Sequence, residues 1–154
     1  MYATLLLVHS IFRWFVLFSL LFSIYRGYIG YVKHKPFSKG DNAWRHWTAT
    51  IAHIQLVLGV ILYVKSPLVQ YFWAHFSEAI RLMDTLFFGL VHFLLMLGSV
   101  VVVTIGSALA KRKASDLEKH KTMLIWFGFA LLLIIIAIPW PFSPLANRPY
   151  FRTY

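Results

Sequence analysis

The stretch TLLLVHSIFRWFVLFSLLF, residues 4–22, decides how the rest of the chain is read. Nineteen residues, nearly all apolar, have the length and character of a bilayer-crossing helix. Yet the run carries His9 and Arg13, one helical turn apart, and no acid to neutralise the arginine. An ionisable side chain in hydrocarbon is costly, and where it occurs it marks a function.

Three more stretches resemble the first. The expected spans are about 4–25, 47–64, 85–110 and 122–138. The 154 residues are 60% hydrophobic and only 13% charged, far less charge than a soluble domain exposes. The expectation is a single membrane domain over 1–154, all-α, built as a polytopic four-transmembrane-helix up-down bundle. Without cysteine, thiolate metal sites, iron–sulfur clusters and disulfides are excluded. A net charge of +10 would suggest nucleic acid in a soluble chain. Here no nucleic-acid partner is expected, because the charge is sorted by loop. The first loop carries Arg26, Lys33, Lys35, Lys39 and Arg45 against Asp41. The third carries Lys111, Arg112, Lys113, Lys119 and Lys121 against Asp116 and Glu118. In the second, Lys65 and Arg81 balance Glu78 and Asp84. The positive-inside rule puts the two basic loops in the cytoplasm and both termini outside. The first apolar run lacks a basic leader and a small-residue cleavage site, so it is expected to stay as a span.

Aromatic residues mark the interfaces. Trp44 and Trp47 fall at the inner edge of the second span and Trp140 at the outer end of the fourth. The run IPWPF, 138–142, stops the fourth helix with Pro139 and Pro141. The aromatic-rich loop SPLVQYFWAHFSEAIRLMD, 66–84, is expected to hold an interfacial helix.

The histidines carry the functional reading. His9, His53 and His92 fall inside spans, His46 and His120 at inner edges, and His34 and His75 in loops. At a rise of about 1.5 Å per residue, His9 and His92 both lie roughly 10–12 Å below the outer surface. They come from the first and third helices, which are diagonal partners in an up-down bundle. Two imidazoles at one depth on facing helices form an axial pair for a haem iron. His53 and His120, on the other diagonal, form a second pair whose depths match less well. His46, seven residues before His53 on the same helical face, is the alternative inner ligand. Arg13 lies four residues beyond His9 and shares its face. A guanidinium suits a carboxylate, so Arg13 is the expected anchor for a haem propionate. Gly89, Met96, Ser99 and Gly106 follow the face of His92 and would leave room for a macrocycle, although small residues equally serve close helix packing.

Five motifs in order, VHSIFRW (8–14), AHIQLVLGVILY (52–63), VHFLLMLG (91–98), KHKTMLIW (119–126) and IPWPF, give the chain a family likeness. It resembles the small four-helix membrane proteins of Bacteroidota-type bacteria labelled "cytochrome B". It is also similar to four-helix b-type cytochromes in which alternate helices clamp two stacked haems. The resemblance implies haem b, two groups with one as the alternative, ligated by His9, His53, His92 and His120, in a bacterial inner membrane. It implies electron transfer with quinone or a partner redox protein, the chain acting as an electron-transfer protein or a subunit of an oxidoreductase complex. Two other readings stay open at this point. One is a non-redox subunit of a larger complex, with the histidines as interhelical hydrogen-bonding groups. The other is a haem or metal handling protein for transport or assembly, since neutral imidazoles also suit zinc and copper.

Overall fold

The computed structural model describes residues 2–146 and 148–150. The described residues form helices and connections, without strands. Helix α1 (Tyr2–Val32) is followed by α2 (Lys39–Lys65), the short helices α3 (Pro67–Ala74), α4 (Phe76–Ala79) and α5 (Met83–Leu86), a π-helical turn (Phe87–Val91), then α6 (His92–Arg112) and α7 (Asp116–Ala137). Four helical segments, Tyr2–Val32, Lys39–Lys65, Met83–Arg112 and Asp116–Ala137, are long and apolar enough to cross a membrane.

The distribution of side-chain size agrees with lipid as the solvent. On α1 the exposed positions are Val8, Ile11, Phe15, Phe18, Leu21 and Tyr25, spaced three and four apart as one helical stripe. Its buried positions include Ser10, Ser19, Ser23, Gly27 and Gly30. Large apolar groups outside, with serine and glycine interleaved among Val16, Leu17 and Leu20 inside, suit helices that associate by close packing in lipid. Gly27 and Gly30 seat α7 against α1: a methyl at Gly27 would stand 3.2 Å from the carbonyl oxygen of His120. Gly106 does the same for α6, since a methyl there would meet Trp126 of α7 at 2.2 Å.

Each long helix packs chiefly on two neighbours, in the ring order α1, α2, α6, α7. Helices α1 and α6 are thus diagonal, as are α2 and α7, the arrangement expected of an up-down bundle. Polar seams hold the ring. Ser23 and Thr48 share a hydrogen bond of 2.8 Å, and Thr48 donates to the Ser19 carbonyl, joining α1 to α2. Buried Arg45 donates to the carbonyl and hydroxyl of Ser107, joining α2 to α6.

The ends follow local chemistry. Helix α1 closes with His34 at φ 50°, a left-handed cap, while the Lys35 amide bonds back to the Gly30 carbonyl. Ser38 and Asp41 form a reciprocal capping box on α2. Ser66 ends α2 and caps α3, whose first residue is Pro67. Ser115 caps α7, and the helix stops at Ala137, before Pro139. Helix α7 therefore begins at Asp116, six residues earlier than the span expected from residue 122. The segment expected at the interface contains α3: Phe72 is buried against the bundle, and Trp73 faces outward.

Candidate functional site

The end of the bundle that carries the start of α1 and the end of α7 contains a large apolar cavity. Helix α1 contributes Tyr2, Leu6, His9, Ser10, Arg13 and Val16; α2 contributes a face from Ala52 through Gln55, Leu56, Gly59 and Tyr63 to Ser66; α6 contributes His92, Phe93, Met96, Ser99 and Val103. Leu68 and Val69 of α3, Phe88 of the π-helical turn, Ile134 of α7, and Ile138, Pro139, Arg148 and Pro149 of the tail also line it. His9 and His92 thus reach one cavity from diagonal helices. Arg13, one turn below His9, lines the same space.

Each imidazole is oriented by a named partner. His92 Nδ1 lies 2.7 Å from the carbonyl oxygen of Ala137, at the end of α7. A carbonyl only accepts, so Nδ1 carries the proton, and in the neutral ring Nε2 is left with the lone pair. Metal-ligating histidines are commonly held in this way. The π-helical turn immediately precedes His92 and inserts an extra residue into the ladder, a device frequent at functional sites. His9 is held by Gln55. The amide nitrogen donates to the His9 carbonyl at 3.0 Å and to His9 Nε2 at 3.3 Å. His9 Nδ1 and Gln55 Oε1 are buried without hydrogen-bond partners. Gly59 gives the ring its space, since a methyl there would come within 3.3 Å of His9 Cε1.

Arg13 donates through Nη2 to the backbone carbonyl of Tyr150 at 2.6 Å and lies 5.2 Å from the centroid of the Trp14 ring. Its Nε–H is buried without a partner. A second guanidinium, Arg148, pairs with Asp84 at 3.1 Å and lies over Phe88.

The inner histidines are not brought together around this space. His53 is exposed; its Nδ1 meets the Ala49 carbonyl at 2.7 Å and its Nε2 meets Thr104 Oγ1 at 3.2 Å. The reason is helical phase. Gln55 faces the cavity, and two residues of α-helix turn the chain by about 200°, so His53 points the other way. His120 is 1% exposed and wedged onto Gly30 of α1, beside Phe37, with neither ring nitrogen hydrogen-bonded. His46 is exposed beside Trp47. Of the small residues on the His92 face, Ser99 lines the cavity, but Gly89 accommodates the Phe72 ring and Gly106 the Trp126 side chain.

Gln55 and the tail are the site residues that sequence reasoning passed over. The signal for Gln55 was present: an amide in the middle of an apolar span needs partners. The tail had no comparable signal, because its contacts with Arg13 and Asp84 are remote in sequence.

Among the described residues, no three His, Asp or Glu side chains gather as a compact metal-ion cluster would need. The cavity instead presents two imidazoles, the number an axial pair requires. The lining suits a haem in other respects: apolar walls, aromatic Phe93, and a guanidinium with a buried donor to spare. Comparison with family models, curated proteins and solved structures found no match.

Proposed function

We propose that this chain is an integral membrane cytochrome that binds one haem b between His9 and His92 and transfers electrons in the membrane. The observation that carries the reading is the meeting of these two imidazoles, from diagonal helices, in one apolar cavity that also receives Arg13. Haem, when bound, supplies one-electron iron chemistry. The chain supplies everything around it. Ala137 holds His92 in the tautomer that presents Nε2. His9 turns its ring into the cavity from the facing helix, and Arg13 offers a cation to a carboxylate. Apolar side chains of α2 and α6 line the space between.

One haem is proposed rather than two, because His53 has both ring nitrogens engaged on the outer face of α2 and His120 is packed away on Gly30. The proposed orientation puts the cavity near the outer surface of a bacterial inner membrane, with the basic loops in the cytoplasm. Quinone or a redox protein is the proposed partner, since either would exchange electrons with a haem held inside the bundle.

The test is a reduced-minus-oxidised spectrum of protein purified from haem-replete cells, with haem quantified per chain. A low-spin b-type spectrum at one haem per chain supports the reading. Protein that folds as a helical bundle but neither carries haem nor takes it up from added haemin overturns it, and favours a non-redox subunit whose histidines bond between helices.

A further inference from the structure

The opposite end of the bundle holds a second concavity, formed by Phe37, Ser38, Lys39, Asn42, Lys111 and Lys119. Its three lysines come from three helix ends: the first residue of α2, the last turn of α6 and the first turn of α7. No carboxylate is among these residues; that of Asp116 stands at the rim, where it accepts from the Phe37 N–H and from Lys119. Asp41, the nearest acid in sequence to Lys39, is 3% exposed and is held by Arg26 at 2.6 Å and by Ser38. Lys119 pairs with Asp116 at 3.0 Å, with its ammonium 5.8 Å from the centroid of the Phe37 ring. Lys39 and Lys111 have no ion pair among the described residues. The fold thus gathers three like charges around one concavity and leaves two of them without a carboxylate. That arrangement is repulsive unless an anion sits among them.

Depth indicates what kind of anion. Trp47, exposed on α2, belongs to the aromatic belt that sits at headgroup level. Lys39 lies eight residues before it, about 12 Å further toward the aqueous phase. The headgroup layer is about 5–8 Å thick on each face, so the concavity opens on its aqueous side, with long lysine side chains that reach back toward the lipid phosphates. Basic pockets between helix ends at this level suit lipid phosphates. Asn42, whose Oδ1 is taken by Arg45, adds an amide N–H2 able to donate to phosphate oxygens.

We propose that Lys39, Lys111 and Lys119 form a phosphate-binding site that takes the headgroup of an anionic phospholipid and thereby clamps the ends of α2, α6 and α7. The proposal does not depend on the haem reading.

The experiment is native mass spectrometry of the detergent-purified full chain after incubation with phosphatidylglycerol or phosphatidylcholine. It compares wild type, Lys39→Gln/Lys111→Gln, and Lys33→Gln/Lys35→Gln, which removes the same charge outside the concavity. Wild type should retain phosphatidylglycerol roughly tenfold over phosphatidylcholine, and the pocket variant should lose that preference while the loop variant keeps it. Equal retention of the two lipids by wild type, or equal loss in both double variants, overturns the site. Melting temperatures in phosphatidylcholine show whether each variant is folded; should the double variant unfold, the single changes Lys39→Gln and Lys111→Gln are read in its place. Inorganic phosphate alone forms a third arm. If it displaces phosphatidylglycerol and raises the melting temperature of wild type but not of the pocket variant, the phosphate chemistry stands and the lipid assignment falls.

Discussion

His92 Nδ1 lies 2.7 Å from the carbonyl oxygen of Ala137, so the ring on α6 is held by the end of α7, 45 residues further along the chain. The carbonyl is the one at which α7 stops before Pro139. The helix terminus and the presentation of His92 Nε2 to the cavity are therefore one feature. With His9 across the same cavity, the proposed axial pair makes each imidazole individually required. His9→Ala and His92→Ala are expected to lower haem per chain by at least roughly tenfold or to convert the residual haem to high spin. His53→Ala and His46→Ala are expected to leave haem content and spectrum unchanged. Low-spin haem surviving in both cavity variants would refute the pair.

Arg13 carries a cost of about 2.5–3.5 kcal/mol or more in hydrocarbon. Its bond to the Tyr150 carbonyl offsets part of this and leaves Nε–H for an anion. Arg13→Leu is expected to weaken haem retention and to lower the midpoint potential of what remains, because a nearby cation favours the reduced form. Arg13→Lys should fall between, since lysine keeps the charge and loses the planar fork. Redox titration of the three proteins decides; equal potentials and equal retention would leave Arg13 as a clamp for the tail alone.

Gln55 occupies His9 Nε2 with a hydrogen bond of 3.3 Å. An amide donating to that lone pair competes with a metal for it. Gln55→Leu should therefore raise haem affinity, by about fivefold for one hydrogen bond near 1 kcal/mol. Haemin titration of apo protein measures this. A fall in affinity would mean that the amide positions the ring rather than competing for it.

Gly30 is where His120 is seated. A methyl there would stand 2.2–2.4 Å from three ring atoms of His120. Gly30→Ala should destabilise the bundle by about 1–3 kcal/mol, as overpacking does. The double change Gly30→Ala/His120→Ala should recover part of the loss. Unfolding in graded denaturing detergent tests the pair, and a neutral Gly30→Ala would show that α1 and α7 pack less tightly than this.

Topology follows from the loop charges. The chain has no cysteine, so Ala114→Cys and Ser77→Cys can each be placed on a silent background. Both positions are exposed, at opposite ends of the bundle. An impermeant thiol reagent applied to intact cells should label Ser77→Cys and spare Ala114→Cys. The reverse pattern would invert the bundle and put the cavity on the cytoplasmic side.

The helices were legible because lipid imposes a simple rule. Every backbone group in hydrocarbon must bond within its own segment, so an apolar run of span length has to be a helix. Alternation of four such runs with short connections sets neighbours antiparallel. Arg13 sharing a face with His9 was equally legible, because residues four apart on one helix need no tertiary information. His53 fails for a related reason. Depth along a helix can be counted from sequence, but the direction a residue faces depends on which stripe of the helix meets the bundle. Gln55, Gly59 and Ser66 mark that stripe on α2, and His53 lies off it.

The sequence by itself determined four apolar helices, their order, the charge sorting of their loops, and the meeting of first and third helices across the diagonal, because hydrophobic length and alternation constrain all of these. Only the tertiary structure decided that His9 and His92 share a cavity whereas His53 and His120 do not. It alone set Ala137 behind His92, Gln55 on His9, and Tyr150 against Arg13. The physical reason is that helical phase within a bundle is chosen by packing between helices. Gly27, Gly30 and Gly106 let neighbours approach at particular points, and those approaches rotate each helix to one angle. The angle then assigns every polar side chain to the cavity, to a seam or to lipid.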